Sequence, residues 1–389
     1  MNNHNKKILF RMLVLPFLMA LLLPYVAKTW MFDHNLSKIY YLLVTSLMTF
    51  GLIPIFYKLG VIMDITDKPG GRHIHQHATP RTGGIAIFIT FIITLNIVTK
   101  PPREFTGLFF ASSVIAFVGI IDDIKHVPAL IKLGAQILAT IILIKYGIYL
   151  SFLPNHIIGN IFSYVLTFIW IIGITNAYNC LDGLDGLAAG TAIIILLFYI
   201  IIATYMVADE FMAIVGLILL GAIIGFMPYN FRITKNALIF LGDAGSTFIG
   251  FTLAALSIYG NWGISKSVDL VIPILLLGVP IADMIMTTIT RIKDGKVKSV
   301  RQWLEYGGND HFHHRLLQMG FTKTGSVLII WAITTVLGLL SLLLKQGDRP
   351  EAIIAILIAL ILFALIISLM LFEYRQERRS LSNKKIFLK

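Results

Sequence analysis

The chain is predicted to be an all-α, polytopic integral membrane protein, with about eleven to twelve transmembrane helices and its chemistry in the cytoplasmic loops. Three observations carry this expectation. Of its 389 residues, 57% are hydrophobic and 13% charged, with a mean hydropathy of +0.84. Apolar runs of roughly 20 residues, the length that crosses a bilayer, recur along the whole sequence. The cations are also distributed unevenly between the loops.

The runs fall at approximately 9–31, 39–60, 83–99, 105–121, 130–149, 160–176, 187–207, 211–229, 238–259, 268–290, 325–345 and 352–373. With the N-terminus inside, the cytoplasmic stretches are 1–8, 61–82, 122–129, 177–186, 230–237, 291–324 and 374–389. They hold about 21 of the 32 Lys and Arg, against about 5 in the opposite loops, which is a positive-inside bias. The net charge of +12 therefore reports topology and contact with anionic membrane lipid, and argues against a nucleic-acid partner. Cys180 is the single cysteine, which excludes intrachain disulfides and multi-Cys metal sites. Lys6 and Lys7 ahead of Met12 to Val26 also read as a signal peptide, but no clean small-x-small cleavage site follows, which favours an uncleaved anchor. The expected organisation is an N-terminal anchor span (1–38), a membrane domain carrying the chemistry (39–345), a C-terminal span (346–373) and a basic cytoplasmic tail (374–389).

The first inner loop packs Lys68, Arg72, Arg81, three histidines and two Gly-Gly pairs into Asp64–Gly84. Glycines let backbone amides approach an anion, and arginine offers a forked pair of donors to phosphate. An ordinary basic loop with turns is the plain alternative. Asp122 and Asp123 open the second cytoplasmic loop, just after the fourth run; adjacent residues do not share a helix face, so the two carboxylates need different partners. The segment Asn176-Ala-Tyr-Asn-Cys-Leu-Asp-Gly-Leu-Asp-Gly186 places Asn176, Asn179, Asp182 and Asp185 between two apolar runs. If the segment is helical, its two carboxylates stand about one turn apart and repel unless a cation or donors lie between them. A polar turn capping the next helix is the alternative. Asn230 and the pair Arg232 and Lys235 follow the eighth run. Asp243 sits in a glycine-bracketed turn opening an apolar helix, three residues after Phe240; free amides and the helix dipole there favour phosphate. Asp283 lies about 10 Å inside the tenth run, where a buried carboxylate is a functional suspect expected to pair with a cation. The longest inner loop carries Arg291 and then Asp310-His-Phe-His-His-Arg315.

Asp122, Asp123, Asp182, Asp185 and Asp243 thus fall on one membrane face among basic loops, an arrangement suited to a divalent cation holding a diphosphate. A transporter would instead place its charges near the midplane in repeated halves. In their order, DKP…TPRTGG, Asp122-Asp123, NAYNCLDGLDGLA, LGDAGSTFIGF, PIAD and HFHHRL resemble the bacterial polyprenyl-phosphate N-acetylhexosamine-1-phosphate transferases, over roughly residues 45–345. That family starts teichoic acid, enterobacterial common antigen and O-antigen (lipopolysaccharide) synthesis, and the muramoyl-pentapeptide transferase of peptidoglycan synthesis is a sister branch.

The resemblance implies transfer of a sugar phosphate from a UDP-N-acetylhexosamine to undecaprenyl phosphate, with release of UMP, at the cytoplasmic face of the cell membrane. By similarity Asp243, with Asp122 and Asp123 beside it, holds Mg2+, with Mn2+ as a substitute. Asn179, Asp182 and Asp185 line the nucleotide pocket, Phe240 stacks on uracil, Asn230 lies near the same base, and Asn176 is counted among the substrate-binding residues. His311, His313, His314 and Arg315 close over the sugar diphosphate, with His313 and His314 counted, like Asp122, Asp123, Asp182 and Asp185, among the catalytic residues. Lys68, Arg72, Arg81, Asp283 and Arg291 complete the expected substrate contacts, and a homodimer is compatible with the family. Gln76, where the muramoyl branch has lysine, and Phe312, which interrupts the histidines, favour N-acetylglucosamine in the donor. Neither the extra N-terminal span nor Trp303–Asn309 is explained by the resemblance.

Overall fold

The structure, a computed structural model, describes residues 28–67, 78–97, 102–151, 156–260, 262, 266–346 and 349–387. Lys68 and Arg72, most of the expected first span, and Gln76 lie outside the described residues. The chain forms two compact units, Met1–Asn261 and Trp262–Lys389. Helices dominate because backbone N–H and C=O groups in lipid must find partners within the chain.

In the first unit, α1 (Lys28–Asp33) and α2 (Ser37–Ile62) lead to β1 (Thr66–Asp67) and β2 (Thr79–Pro80). The two strands are antiparallel, with Thr66 opposite Pro80. Then follow α3 (Gly83–Ile97), α4 (Arg103–Ile124), α5 (Ala129–Lys145), α6 (Ile157–Leu181), α7 (Leu187–Ile201) with a π-helical extension (Ile202–Val207), α8 (Glu210–Asn230) and α9 (Gly242–Tyr259). Helix α9 is the hub: it packs on α3, α4 and α6 and is buried along most of its length. Small residues permit the tightest approaches. A Cβ on Gly225 of α8 would lie 2.2 Å from the Ser46 carbonyl of α2. One on Gly84 would lie 2.1 Å from the Gly245 amide, so α3 and α9 touch backbone to backbone where they begin.

In the second unit, α10 (Lys266–Leu276), α11 (Gly278–Lys293), α12 (Val300–Glu305), α13 (Phe312–Gln318), α14 (Lys323–Gln346) and α15 (Arg349–Phe387) follow. Helix α14 packs on α10, α11 and α15. The single span expected at 268–290 is divided at Leu277, because Pro280 has no N–H to donate to the Leu276 carbonyl one turn before it.

Seven helices among the described residues are long and apolar enough to cross a membrane: α2, α4, α6, α7 with its extension, α8, Lys323–Lys345 and Pro350–Phe372. Helices α3, α5 and α9 and the divided α10–α11 segment occupy other positions expected to span, and do not meet that criterion of length and hydropathy. The architecture is the all-α, polytopic membrane fold that the hydropathy implies.

Candidate active site

The site in the first unit is built where α4 and α6 end and α5 and α9 begin. Asp122 and Asp123 occupy the last turn of α4, and their side chains part as adjacent helical residues must. Asp123, its side chain fully buried, accepts the backbone amides of Asp243 (2.8 Å) and Ala244 (2.9 Å), one on each oxygen. It therefore caps α9 from a helix 120 residues away and holds the orphan N–H groups of that helix end. The turn before the cap needs glycine: Gly242 has φ +71, and a Cβ there would lie 2.5 Å from the Asp123 carboxylate.

Asp122 faces the other way. Its Oδ1 accepts the Val127 amide (2.7 Å), and its Oδ2 contacts the ammonium of Lys132 in the first turns of α5. That same ammonium donates to Asp243 Oδ2 at 2.9 Å, so Lys132 lies between two carboxylates. The other oxygen of Asp243 accepts from Arg81 Nη2 (3.1 Å) and, at 3.4 Å, from Asn179 Nδ2, which also donates to Ser246 Oγ (2.8 Å). Arg81 Nε stands 3.5 Å from Asp123. The guanidinium is positioned by its backbone: Phe240 N donates to Pro80 O, while Gly83 N and Gly84 N donate to Phe240 O and Leu241 O.

Beside this cluster opens a cleft enclosing about 380 Å3 including its mouth. Charged and polar side chains, among them Asp122, Lys132, Asn179 and Asp243 with Gln136 and Asn176, line it together with the apolar Ile115, Val118 and Ala135. The combination of a charged head and an apolar wall suits a ligand with an anionic end and a hydrocarbon body.

Asp182 follows the end of α6. Burial, outweighing the pull of Arg81 and reinforced by Asp243, Asp123 and Asp185, pushes its carboxyl up to about 7. Asp185 accepts the Ala237 amide (2.8 Å) and ties the turn after α6 to the segment before α9. Asn230, expected near the uracil, braces that turn: its Oδ1 accepts Gly186 N (2.8 Å) and its Nδ2 donates to Ile239 O (3.0 Å). Both ends of the amide are committed to backbone, as a buried amide requires. Phe240 is half-buried, three residues before Asp243, with its backbone pinned on both sides.

The donors fit a hard divalent cation in part. Asp122 and Asp243 already bracket one positive charge, the Lys132 ammonium, and offer oxygen ligands. Among the described residues no three metal-binding side chains converge, so such an ion would complete its shell from water and phosphate oxygens, as magnesium commonly does. Asp123, expected as a third ligand, accepts one α9 amide on each oxygen and so caps that helix.

The second unit holds the other expected residues. Asp283, buried in α11, accepts Phe312 N (2.7 Å) on one oxygen and pairs with His311 Nδ1 (2.9 Å) on the other. Arg291 Nη2 lies 3.0 Å from His311 Nε2; a guanidinium can only donate, so a hydrogen bond there has Nε2 as acceptor and the Nδ1 proton facing Asp283. Asp283, expected to pair with a cation, thus pairs with His311. Arg291 also forms a two-pronged pair with Asp310 (2.8 and 2.6 Å) under the Tyr306 ring, 4.7 Å away. Asp310 is held below the usual carboxylate range: the bonds and charge of Arg291 outweigh burial. Arg315 donates to the carbonyls of Asp310 and Met370. Trp303–Asn309 now has a structural account: Trp303 donates to Thr288 Oγ1 (2.7 Å), and Tyr306 covers Arg291. His313 is 1% exposed with no hydrogen-bond partner on either ring nitrogen among the described residues. Burial, then His314 and His311, holds it well below the ordinary imidazole range and therefore neutral. His314 is lowered by burial and by His311.

Lys132 and Gln136 are the members of the first-unit site that sequence reasoning missed. Both lie in the apolar run expected to span at 130–149, where a single lysine reads as a snorkelling side chain. Their spacing of four, which puts two polar residues on one face of an apolar helix, was the available signal.

A profile of Glycosyl transferase family 4 matches residues 105–261. The probable undecaprenyl-phosphate N-acetylglucosaminyl 1-phosphate transferase of Bacillus subtilis (strain 168) is 31% identical over 345 residues, 86% of this chain and 93% of the relative. The decaprenyl-phosphate N-acetylglucosaminephosphotransferase of Mycobacterium tuberculosis (strain ATCC 25618 / H37Rv) is 32% identical over 297 residues, covering 68% and 71%. The undecaprenyl-phosphate alpha-N-acetylglucosaminyl 1-phosphate transferase of Escherichia coli (strain K12) is 26% identical over 330 residues, covering 82% and 87%. The match runs through the helices that build the cleft and through both of its acidic loops, and on these grounds the chain belongs to glycosyl transferase family 4, as a multi-pass membrane phosphoglycosyltransferase.

Proposed function

We propose that the protein transfers N-acetylglucosamine 1-phosphate from UDP-N-acetylglucosamine to undecaprenyl phosphate, releasing UMP at the cytoplasmic face. The observation that carries this reading is the Asp122–Lys132–Asp243–Arg81 cluster heading an apolar-walled cleft between membrane helices, in a chain with relatives of that printed activity. In the reaction, an oxygen of the lipid phosphate forms a bond to the sugar-linked phosphorus of the donor. The bond from that phosphorus to the bridging oxygen breaks, and UMP leaves with that oxygen.

A phosphate monoester has its second pKa near 6 and is already mostly a dianion at neutral pH. No general base is needed to make it nucleophilic. The demand on the protein is to bring two anions together, and Lys132 and Arg81 answer it by placing positive charge on either side of Asp243. Asp122 orients the Lys132 ammonium. Asp123 fixes the N-terminus of α9, and with it the position of Asp243. Asp243 and Asp122 would hold a magnesium ion, which when bound neutralises charge on the diphosphate and polarises its phosphorus–oxygen bonds.

Purified protein given UDP-N-acetylglucosamine, undecaprenyl phosphate and magnesium is expected to release UMP. The donor is tested by kinetics beside UDP-N-acetylmuramoyl-pentapeptide, with an expected preference of at least about a hundredfold in kcat/KM. Absence of UMP refutes the transfer, and equal or faster turnover of the pentapeptide donor refutes the choice of branch.

A further inference from the structure

The cleft continues below its charged head. On α5, Gln136 lies one turn beyond Lys132 on the same face, about 10 Å from the start of the helix. It is 4% exposed and lines the cleft opposite Ile115 and Val118. Its amide meets that of Asn176 on α6: Asn176 Nδ2 donates to Gln136 Oε1 at 2.9 Å, and Gln136 Nε2 donates to Asn176 Oδ1 at 3.3 Å. Asn176 Nδ2 also donates to Ile172 O at 2.8 Å, so its two hydrogens are engaged and the orientation of its amide is settled. Gln136 differs, because one of its two amide hydrogens has no partner shown among the described residues.

A donor left over on a buried side chain of the cleft is costly unless an oxygen arrives to take it. A plain interhelical lock would need only the two reciprocal bonds. The ligand that reaches this depth must carry an anionic oxygen at the level of Lys132 and a hydrocarbon body against Ile115, Val118 and Ala135. A nucleotide sugar carries the anionic oxygens but no hydrocarbon body, whereas a phosphate monoester of a long-chain isoprenoid carries both.

We propose that Gln136, held in place by Asn176, is a binding residue for the lipid acceptor, its remaining amide hydrogen donating to a non-bridging oxygen of the polyprenyl phosphate one turn below the Lys132 ammonium. The proposal rests on the transfer reading above for the identity of the lipid, and names which wall of the cleft selects it.

Two variants of the full-length protein test it. Gln136→Met keeps side-chain length and helix propensity but has no donor; Gln136→His loses the two-way amide pairing but keeps an N–H. Loss of a hydrogen bond to a charged phosphate is expected to raise the KM for undecaprenyl phosphate about tenfold to a hundredfold in Gln136→Met. The KM for UDP-N-acetylglucosamine stays within about twofold, and Gln136→His retains lipid KM within about threefold of wild type. A donor-free readout runs beside the kinetics: undecaprenyl phosphate raises the melting temperature of the wild type, inorganic phosphate at the same concentration does not, and the lipid effect is lost in Gln136→Met. Equal damage in both variants, a parallel rise in both KM values, stabilisation by inorganic phosphate matching that by the lipid, or full lipid stabilisation of Gln136→Met would each overturn the proposal. Because the melting comparison uses no donor, it decides on Gln136 even where no UMP is released.

Discussion

Removing the Asp123 carboxylate separates a structural cap from a metal ligand. Its oxygens accept the amides of Asp243 and Ala244 at 2.8 and 2.9 Å, with Arg81 Nε at 3.5 Å and the side chain fully buried. A hydrogen bond to a charged acceptor contributes about 1.5–3 kcal/mol, and an N-cap about 0.5–2 kcal/mol. Taking both bonds near the low end, Asp123→Ala is expected to cost about 3 kcal/mol, because two α9 amides and the Arg81 charge lose their partner together. At about 2–4 °C per kcal/mol for a unit of this size, the melting temperature should fall by about 6–12 °C. Asp123→Asn keeps one acceptor oxygen and is expected to lose about half as much. The assay is thermal unfolding of purified protein in excess chelator, where a metal ligand has nothing to bind. A melting temperature unchanged under chelator, with a loss seen only in magnesium, would refute the cap and return Asp123 to the metal.

Asp243→Asn should remove most magnesium-dependent turnover while the protein still inserts and folds, and wild-type turnover at full rate in excess chelator would refute a metal requirement. Asp122→Asn should lower the rate by a factor that stays nearly constant from about pH 7 to pH 9, since the lipid phosphate is already ionised there; a defect that shrinks steadily with rising pH would make Asp122 a general base. For Asp182, raised to about 7 by burial, the folded chain binds the proton more tightly than the unfolded chain. Its contribution to stability is therefore full below about pH 4 and is lost as pH climbs to about 7. Melting curves across that window should flatten in Asp182→Asn, and an unchanged slope would show that the carboxyl is solvated.

The parts legible in the sequence were those with local signatures. Polar and glycine-rich segments stand out in a chain this apolar, so the loops bearing Asp122, Asp182 and Asp243 could be recognised from composition and order alone. Helix spacing also gave the divergence of Asp122 and Asp123. Their partners were another matter: Asp123 meets amides 120 residues further on, and no periodicity encodes a contact of that range. Lys132 was hidden because an isolated lysine in an apolar run is usually a snorkelling side chain. Asn230 Nδ2 and two nitrogens of Arg315 donate to backbone carbonyls, contacts that only tertiary packing brings about. The interruption at Leu277 was recoverable from Pro280, but length and hydropathy favoured one continuous span.

The pairing of Gly83 and Gly84 with Phe240 and Leu241 also bears on biogenesis. It clasps the two ends of a segment of more than 150 residues, and among the described residues the charged partners of Asp243, Arg81 and Lys132, lie upstream of it. A chain still emerging from the ribosome therefore presents Arg81, Asp122 and Lys132 without the residue that unites them. The centre closes only after the intervening helices have entered the bilayer and α9 has docked, because long-range contacts of this kind form after the loop between them has been closed. Truncated or stalled products, lacking α9, are in this way inert toward their substrates by construction.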